Sequence, residues 1–154
     1  MIMLNIWKNI ATLGPIGYFK GSGTIASAFA IILVILLHSL HLSFCNVTIL
    51  IFFLTLCILK LVDVVMPLFD YQDSPYIVID EVLGMVYTFW GISLNVKIVL
   101  LGFVLFRFFD ITKVLGIGYL EKKIPNPWSI VLDDIFAGLL ANCLLRLIIL
   151  SECF

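Results

Sequence analysis

The run VTILIFFLTLCILKLVDVVM, residues 47–66, carries its two charges, Lys60 and Asp63, toward one end only. A helix crossing about 30 Å of hydrocarbon needs about 20 mostly apolar residues, and this run has that length and composition. A second run, TIASAFAIILVILLHSL, covers residues 24–40, and a third covers residues 130–150. Composition agrees, with 63% hydrophobic and 12% charged residues against about 45–50% and about 25% in soluble domains. No soluble fold of 154 residues hides that much apolar surface, so the chain is expected to be an integral membrane protein.

Outward from these runs, two shorter apolar segments, residues 82–93 and 96–109, meet at Leu94-Asn95 and predict a helical hairpin. The residues before Gly21, with Trp7, Lys8, Tyr18 and Lys20 among apolar neighbours, predict an interfacial helix interrupted at Gly14-Pro15. The expected fold is therefore all-α. It is a polytopic membrane helical bundle of about four to five membrane helices, including the short hairpin, with an N-terminal interfacial helix. No linker or low-complexity tract divides the chain, so residues 1–154 are expected to form a single domain. Cys45, Cys57, Cys143 and Cys153 lack metal-type spacing, and neither disulfide nor zinc is expected. Residues 1–9 lack a basic region followed by an apolar run and a cleavage site, so no removable signal is expected.

Lys and Arg near span ends stay on the cytoplasmic side. Lys8, Lys20, Lys60, Arg107, Lys113, Lys122 and Lys123 all fall at one set of span ends, whereas the opposite connections, residues 38–46 and 94–97, hold only Lys97. The first set is therefore expected to face the cytoplasm. The formal charge of -1, nine Lys+Arg against ten Asp+Glu, excludes nucleic acid, which needs a basic surface.

The acids fall on that same side: Asp63, Asp70, Asp73, Asp80, Glu81, Asp110, Glu121, Asp133 and Asp134, with only Glu152 elsewhere. Two adjacent pairs stand in near-identical frames, Ile77-Val78-Ile79-Asp80-Glu81-Val82-Leu83-Gly84 and Ile130-Val131-Leu132-Asp133-Asp134-Ile135-Phe136-Ala137-Gly138. Each pair is read as opening a helix. Two unit charges about 4 Å apart repel by roughly 4 kcal/mol at an effective dielectric of about 20. A raised pKa relieves one pair; two pairs brought together are relieved better by a hard cation on oxygen ligands, Mg²⁺ first. The bland reading makes these acids helix caps or dipole partners worth about 0.3–1 kcal/mol each. It explains one such residue better than it explains a repeated pair.

Arg107, Asp110 and Lys113 recur every three residues at the end of the fourth apolar run. As a basic helix end they would simply snorkel to the interface. As a functional set, Arg107 and Lys113 grip phosphate oxygens while Asp110 orients Arg107 or joins a metal shell. Gly21-Ser22-Gly23-Thr24-Ile25-Ala26-Ser27 leads into a helix N-terminus, where Gly23 and Thr24 could offer backbone N–H groups to an anion. Its alternative is close helix packing through small residues, the role expected of Gly84 and Gly138. Trp7, Trp90, Trp128 and the tyrosines are expected as interfacial anchors. His38 and His41 lie on the side away from the acids and are expected to be interfacial bystanders.

Taken together, Gly23-Thr24 with Ser27, Ile79-Asp80-Glu81-x-x-Gly84, Phe106-Arg107-x-x-Asp110-x-x-Lys113 and Asp133-Asp134-x-x-Ala137-Gly138 resemble, in order and spacing, the phosphatidylglycerophosphatase A family. The resemblance runs from about Gly14 to Asn142. It departs at Ser22, Ala26, Val114 and around Asn126-Pro127-Trp128, but every charged position of the pattern is present. It implies a Mg²⁺-dependent lipid phosphatase of the bacterial inner membrane that converts phosphatidylglycerophosphate to phosphatidylglycerol and inorganic phosphate, with its active site at the cytoplasmic face. Asp80, Glu81, Asp133 and Asp134 are the candidate catalytic residues and metal ligands. Gly23, Thr24, Arg107, Asp110 and Lys113 are the candidate substrate-binding residues.

Water activated by the metal and an aspartate nucleophile both remain open at this stage. A histidine-based phosphatase is excluded because neither His adjoins the charged cluster. The D-x2-D-G-x2-A-R run of CDP-alcohol phosphotransferases is absent. A small ion- or proton-coupled transporter is the alternative from another class, but transport carboxylates belong near the midplane on broken helices rather than at helix entrances on one side. A structural subunit would leave the charge clusters without purpose.

Overall fold

A computed structural model describes residues 2–69, 74–113 and 127–151. Among the described residues every regular element is helical: α1 (Ile2–Ala11), α2 (Ser22–Ser39), α3 (Phe44–Val65), α4 (Ile79–Thr88), α5 (Val96–Thr112) and α6 (Pro127–Leu150), with 3-10 turns at Ile16–Tyr18 and Met66–Leu68. Two stretches, Ser22–Ser39 and Phe44–Leu68, are long and apolar enough to cross a bilayer. α6 has the length as well, 24 residues or about 36 Å at 1.5 Å per residue, and it carries Asp133, Asp134 and Arg146.

Helix boundaries follow local chemistry. Ser43 caps α3 by accepting from the Asn46 N–H at 3.4 Å, and Asn95 caps α5 by accepting from the Ile98 N–H at 2.8 Å. Gly21, at φ 74, turns the chain into α2. The N-terminal stretch breaks where expected, at Leu13 (φ 48) and Gly14 (φ 64). The Ala11 carbonyl accepts from the Val78 N–H at 3.0 Å, which ties α1 to the segment leading into α4.

The hairpin differs from its expected bounds, because its first helix starts at Ile79 and ends at Thr88, not at residue 93. Its ten residues make about 15 Å, half a hydrocarbon thickness, so α4 alone is too short to cross a bilayer. Carbonyls freed at its end find donors on α6. Asn142 Nδ2 donates to the carbonyls of Tyr87, Thr88 and Trp90 at 3.2, 2.9 and 3.0 Å. Arg146 Nε holds Asn142 Oδ1 at 2.8 Å, and Arg146 Nη2 donates to the Trp90 carbonyl at 2.8 Å. Two residues of α6 thus complete the end of α4.

The pairing of α4 with α6 is as close as backbones allow. A Cβ on Gly138 would collide with the Gly84 carbonyl oxygen, and one on Gly84 would lie 2.5 Å from the Phe106 ring and 2.7 Å from the Asp134 carbonyl oxygen. Around this contact the buried Val82, Met85, Val86, Phe106, Ala137 and Ala141 belong to the largest core cluster. Gly138→Ala is therefore expected to force the helices apart and lower stability by about 1–3 kcal/mol. Thermal unfolding in detergent micelles measures this, and an unchanged midpoint would remove the backbone contact as a determinant of the fold.

The helices alternate in direction. Trp90 Nε1 donates to Thr48 Oγ1 at 3.2 Å and its ring stacks on Phe44, so the end of α4 meets the start of α3. The starts of α2 and α4, the end of α5 and the first turns of α6 gather at the opposite end. All the described carboxylates, Asp63 included, belong to that gathering end, and His38, His41 and Arg146 to the other. Asp70, Asp73, Glu121, Lys122, Lys123, Val114, Asn126, Glu152 and Cys153 lie outside the described residues.

Candidate active site

Four helices deliver one charged cavity of about 260 Å³. The first turn of α4 supplies Asp80 and Glu81, the last turn of α5 Arg107 and Asp110, α6 Asp133 and Asp134, and the start of α2 Gly23. Lys113 joins them from just beyond α5. It adopts the left-handed conformation (φ 45) there while its N–H donates to the Phe109 carbonyl at 3.0 Å. A non-glycine residue at positive φ needs support from its surroundings, and Lys113 Nζ pairs with Asp133 Oδ2 at 2.8 Å.

The two acidic pairs are not equivalent. α6 begins at Pro127, a residue that favours a first helical position because it lacks an N–H, so Asp133 and Asp134 stand in its second turn rather than opening the helix. At that depth they are too far in to cap it. Asp134, 6% exposed, turns toward α4, where one carboxylate oxygen from each of Asp80, Glu81 and Asp134 lies within 4.8 Å of the others. Asp133 turns to Lys113 instead.

Asp80 and Glu81 precede the apolar part of α4. Burial pushes the Asp80 carboxyl up to about 6. Burial, then the neighbouring Asp80 charge, holds Glu81 well above the usual carboxylate range. Glu81 Oε2 is buried with no hydrogen-bond partner, an arrangement that costs the full desolvation of the group unless something satisfies it. Two buried carboxylates and the half-buried Glu81, with oxygen-only donors and one unsatisfied atom, fit a hard divalent cation. The cluster can bind a metal ion.

Beside this cluster, Arg107 Nη1 is paired with Asp110 Oδ2 and reaches Ser27 Oγ at 3.4 Å. Ser27 in turn donates to the Gly23 carbonyl at 2.7 Å. Arg107 Nε is buried without a partner among the described residues, a donor left open beside the cavity. Gly23 serves this geometry by having no side chain: a Cβ there would collide with Glu81 Oε1 and sit 3.2 Å from Arg107 Nη1. Thr24 is exposed and does not line the cavity.

The cavity thus brings together eight of the nine candidate residues: Gly23, Asp80, Glu81, Arg107, Asp110, Lys113, Asp133 and Asp134. Sequence reasoning assigned no role to Ser27, which supports Arg107, or to Ser74, Pro75 and Ile77, which complete the wall. The signal for Ser27 was its place one helical turn after Gly23; the wall segment carried none.

The family model for phosphatidylglycerophosphatase A matches residues 9–149. The phosphatidylglycerophosphatase A of Haemophilus influenzae is 39% identical over 71 residues, which are 46% of this chain and 44% of that relative. The chain therefore aligns with less than half the length of that protein. No solved structure matches. Acidic and basic side chains share one cavity, and the family model takes in every residue that builds it: the chain belongs to the phosphatidylglycerophosphatase A family.

Proposed function

We propose that this chain hydrolyses phosphatidylglycerophosphate to phosphatidylglycerol and inorganic phosphate with Mg²⁺, at the cytoplasmic face of the bacterial inner membrane. The observation that carries the reading is the placement of the Asp80, Glu81 and Asp134 oxygens within 4.8 Å of one another, in the same cavity as Arg107 and Lys113. Family membership supports it.

In this reading Asp80, Glu81 and Asp134 hold the ion. Mg²⁺ when bound supplies positive charge against the phosphomonoester and lowers the pKa of a water. Arg107 binds phosphate oxygens through its guanidinium, with Asp110 and Ser27 fixing the plane of that group. Lys113 adds a point charge, and Asp133 positions Lys113. Hydrolysis consumes one water, the P–O ester bond breaks, and the departing glycerol oxygen takes a proton. Two fixed cations stabilise the charge that spreads over the phosphoryl oxygens as that bond breaks.

Phosphate release from phosphatidylglycerophosphate in mixed micelles, with and without Mg²⁺, tests the activity. Release that needs Mg²⁺ is expected, and absence of release under both conditions overturns the reading. Orientation has its own test. In a cysteine-free background, Lys20→Cys at the acidic end should resist an impermeant thiol reagent added outside intact cells, and Leu40→Cys at the other end should label. The reverse pattern would invert the topology.

A further inference from the structure

A second cavity, apart from the acidic one, is walled mostly by apolar side chains. It has a volume of about 430 Å³ and lies at the other end of the bundle, between the end of α2, the start of α3 and the connection from α4 to α5. We propose that this cavity is a binding site for an anionic phospholipid of the leaflet opposite the acidic site, with an acyl chain against its apolar wall and the head group at a cationic rim.

The wall is hydrocarbon: Val34, Ile51, Val86 and Phe89 line it and are themselves buried. Its volume falls within the about 300–1,000 Å³ of small-molecule sites. Phe44, 58% exposed, carries the lining out to the surface, so the cavity opens sideways where an acyl chain can enter. Trp90 lines the same cavity, stacked on Phe44, in the amphipathic position that tryptophans take at the head-group level.

The rim decides the sign of the head group. His38 and His41 are exposed and line the cavity. Arg146 stands behind Gly91, its Nη2 2.9 Å from where a Cβ on that glycine would be. It is held there by the Trp90 carbonyl and Asn142. No carboxylate among the described residues pairs with Arg146 or lines this cavity. Every described acid belongs to the opposite end, about 15 Å away along α4. A phosphodiester at this rim would meet two imidazoles, with the Arg146 guanidinium behind Gly91 and no carboxylate among the described residues to repel it. Basic pockets between membrane helices bind anionic head groups on the same grounds.

The experiment uses the full chain in detergent and native mass spectrometry, with phosphatidylserine against phosphatidylcholine. Both are phosphodiesters, so neither is a phosphomonoester substrate. One phosphatidylserine is expected to be retained in preference to phosphatidylcholine. Arg146→Gln keeps hydrogen-bond donors for Trp90 and Asn142 but removes the charge, and it should weaken that preference about fivefold. His38→Gln/His41→Gln, at exposed positions, should weaken it further, and this variant carries the test alone if Arg146→Gln loses its helical circular dichroism. Glu81→Gln should keep the preference, because the acidic cavity is separate. Equal retention of the two lipids, a preference unchanged by both rim variants, or its loss in Glu81→Gln would each overturn the proposal.

Discussion

Asp80→Asn and Asp134→Asn should each leave a folded, membrane-inserted protein that no longer releases phosphate in response to Mg²⁺. The expected loss exceeds the about 10–100-fold that follows from removing an outer partner of a metal site, because on the proposed reading both carboxylates touch the ion. Asn keeps the size of Asp and removes its charge. In the absence of metal that removal is favourable, since buried carboxylates about 4 Å apart repel by roughly 4 kcal/mol per pair at an effective dielectric of about 20. The metal-free variants should therefore melt at or above the temperature of the parent. Mg²⁺ separates the two effects: at a hundred times its dissociation constant a ligand adds about 2.7 kcal/mol to the stability of the state that binds it. The parent should gain that increment and both variants should lose it. Asp133→Asn provides the contrast, because Asp133 pairs with Lys113 at 2.8 Å and is not in the carboxylate trio. It should keep the Mg²⁺-induced rise and, like loss of Lys113, chiefly raise KM. Near-normal phosphate release from both Asp80→Asn and Asp134→Asn, or a full Mg²⁺ shift in both, would remove these residues from the metal site.

The gathering of acids at one end was legible because it needs only spans and their alternation: charged residues at the same parity of span end must meet. The membrane class was legible for a similar reason, since no arrangement of 63% hydrophobic residues hides them in so short a chain. What divides Asp133 from Asp134 was not. Adjacent residues on a helix point about 100° apart, so which one enters the trio depends on where α6 starts and how it is rotated, and α6 starts at Pro127 rather than beside the pair. In the same way, the rotation of α2 places Gly23 inside the cavity and leaves Thr24 exposed. The end of α4 was hidden for another reason. The apolar run continues through Trp90 and Ile92, and the residues that end the helix by taking its carbonyls, Asn142 and Arg146, are more than fifty positions away in sequence. Only tertiary contact reveals them.

Arg107→Lys is the sharpest test of the cationic wall, because it keeps the charge and discards the shape. The guanidinium is planar and offers five donors, of which Nη1 is engaged by Asp110 and Ser27 and the buried Nε by none of the described residues. An ammonium on a flexible stem can satisfy Asp110 or reach a phosphoryl oxygen, but it cannot hold both in one plane. If Arg107 grips the phosphoryl group as charge develops, losing that geometry should lower kcat by about 10²–10³ with little change in KM. Lys113 should behave differently. It sits 39% exposed beyond the end of α5 and is already paired with Asp133, so its contribution is a point charge at the mouth of the cavity. Lys113→Arg should be mild. Lys113→Ala should chiefly raise KM, in a way that weakens with added salt, since screening shortens the reach of an exposed charge to about 10 Å at 0.1 M. Steady-state kinetics of the three variants on the same mixed micelles decide between the roles. Small and equal effects from Arg107→Lys and Lys113→Arg would mean that Arg107 only neutralises Asp110, and the phosphoryl clamp would have to lie elsewhere.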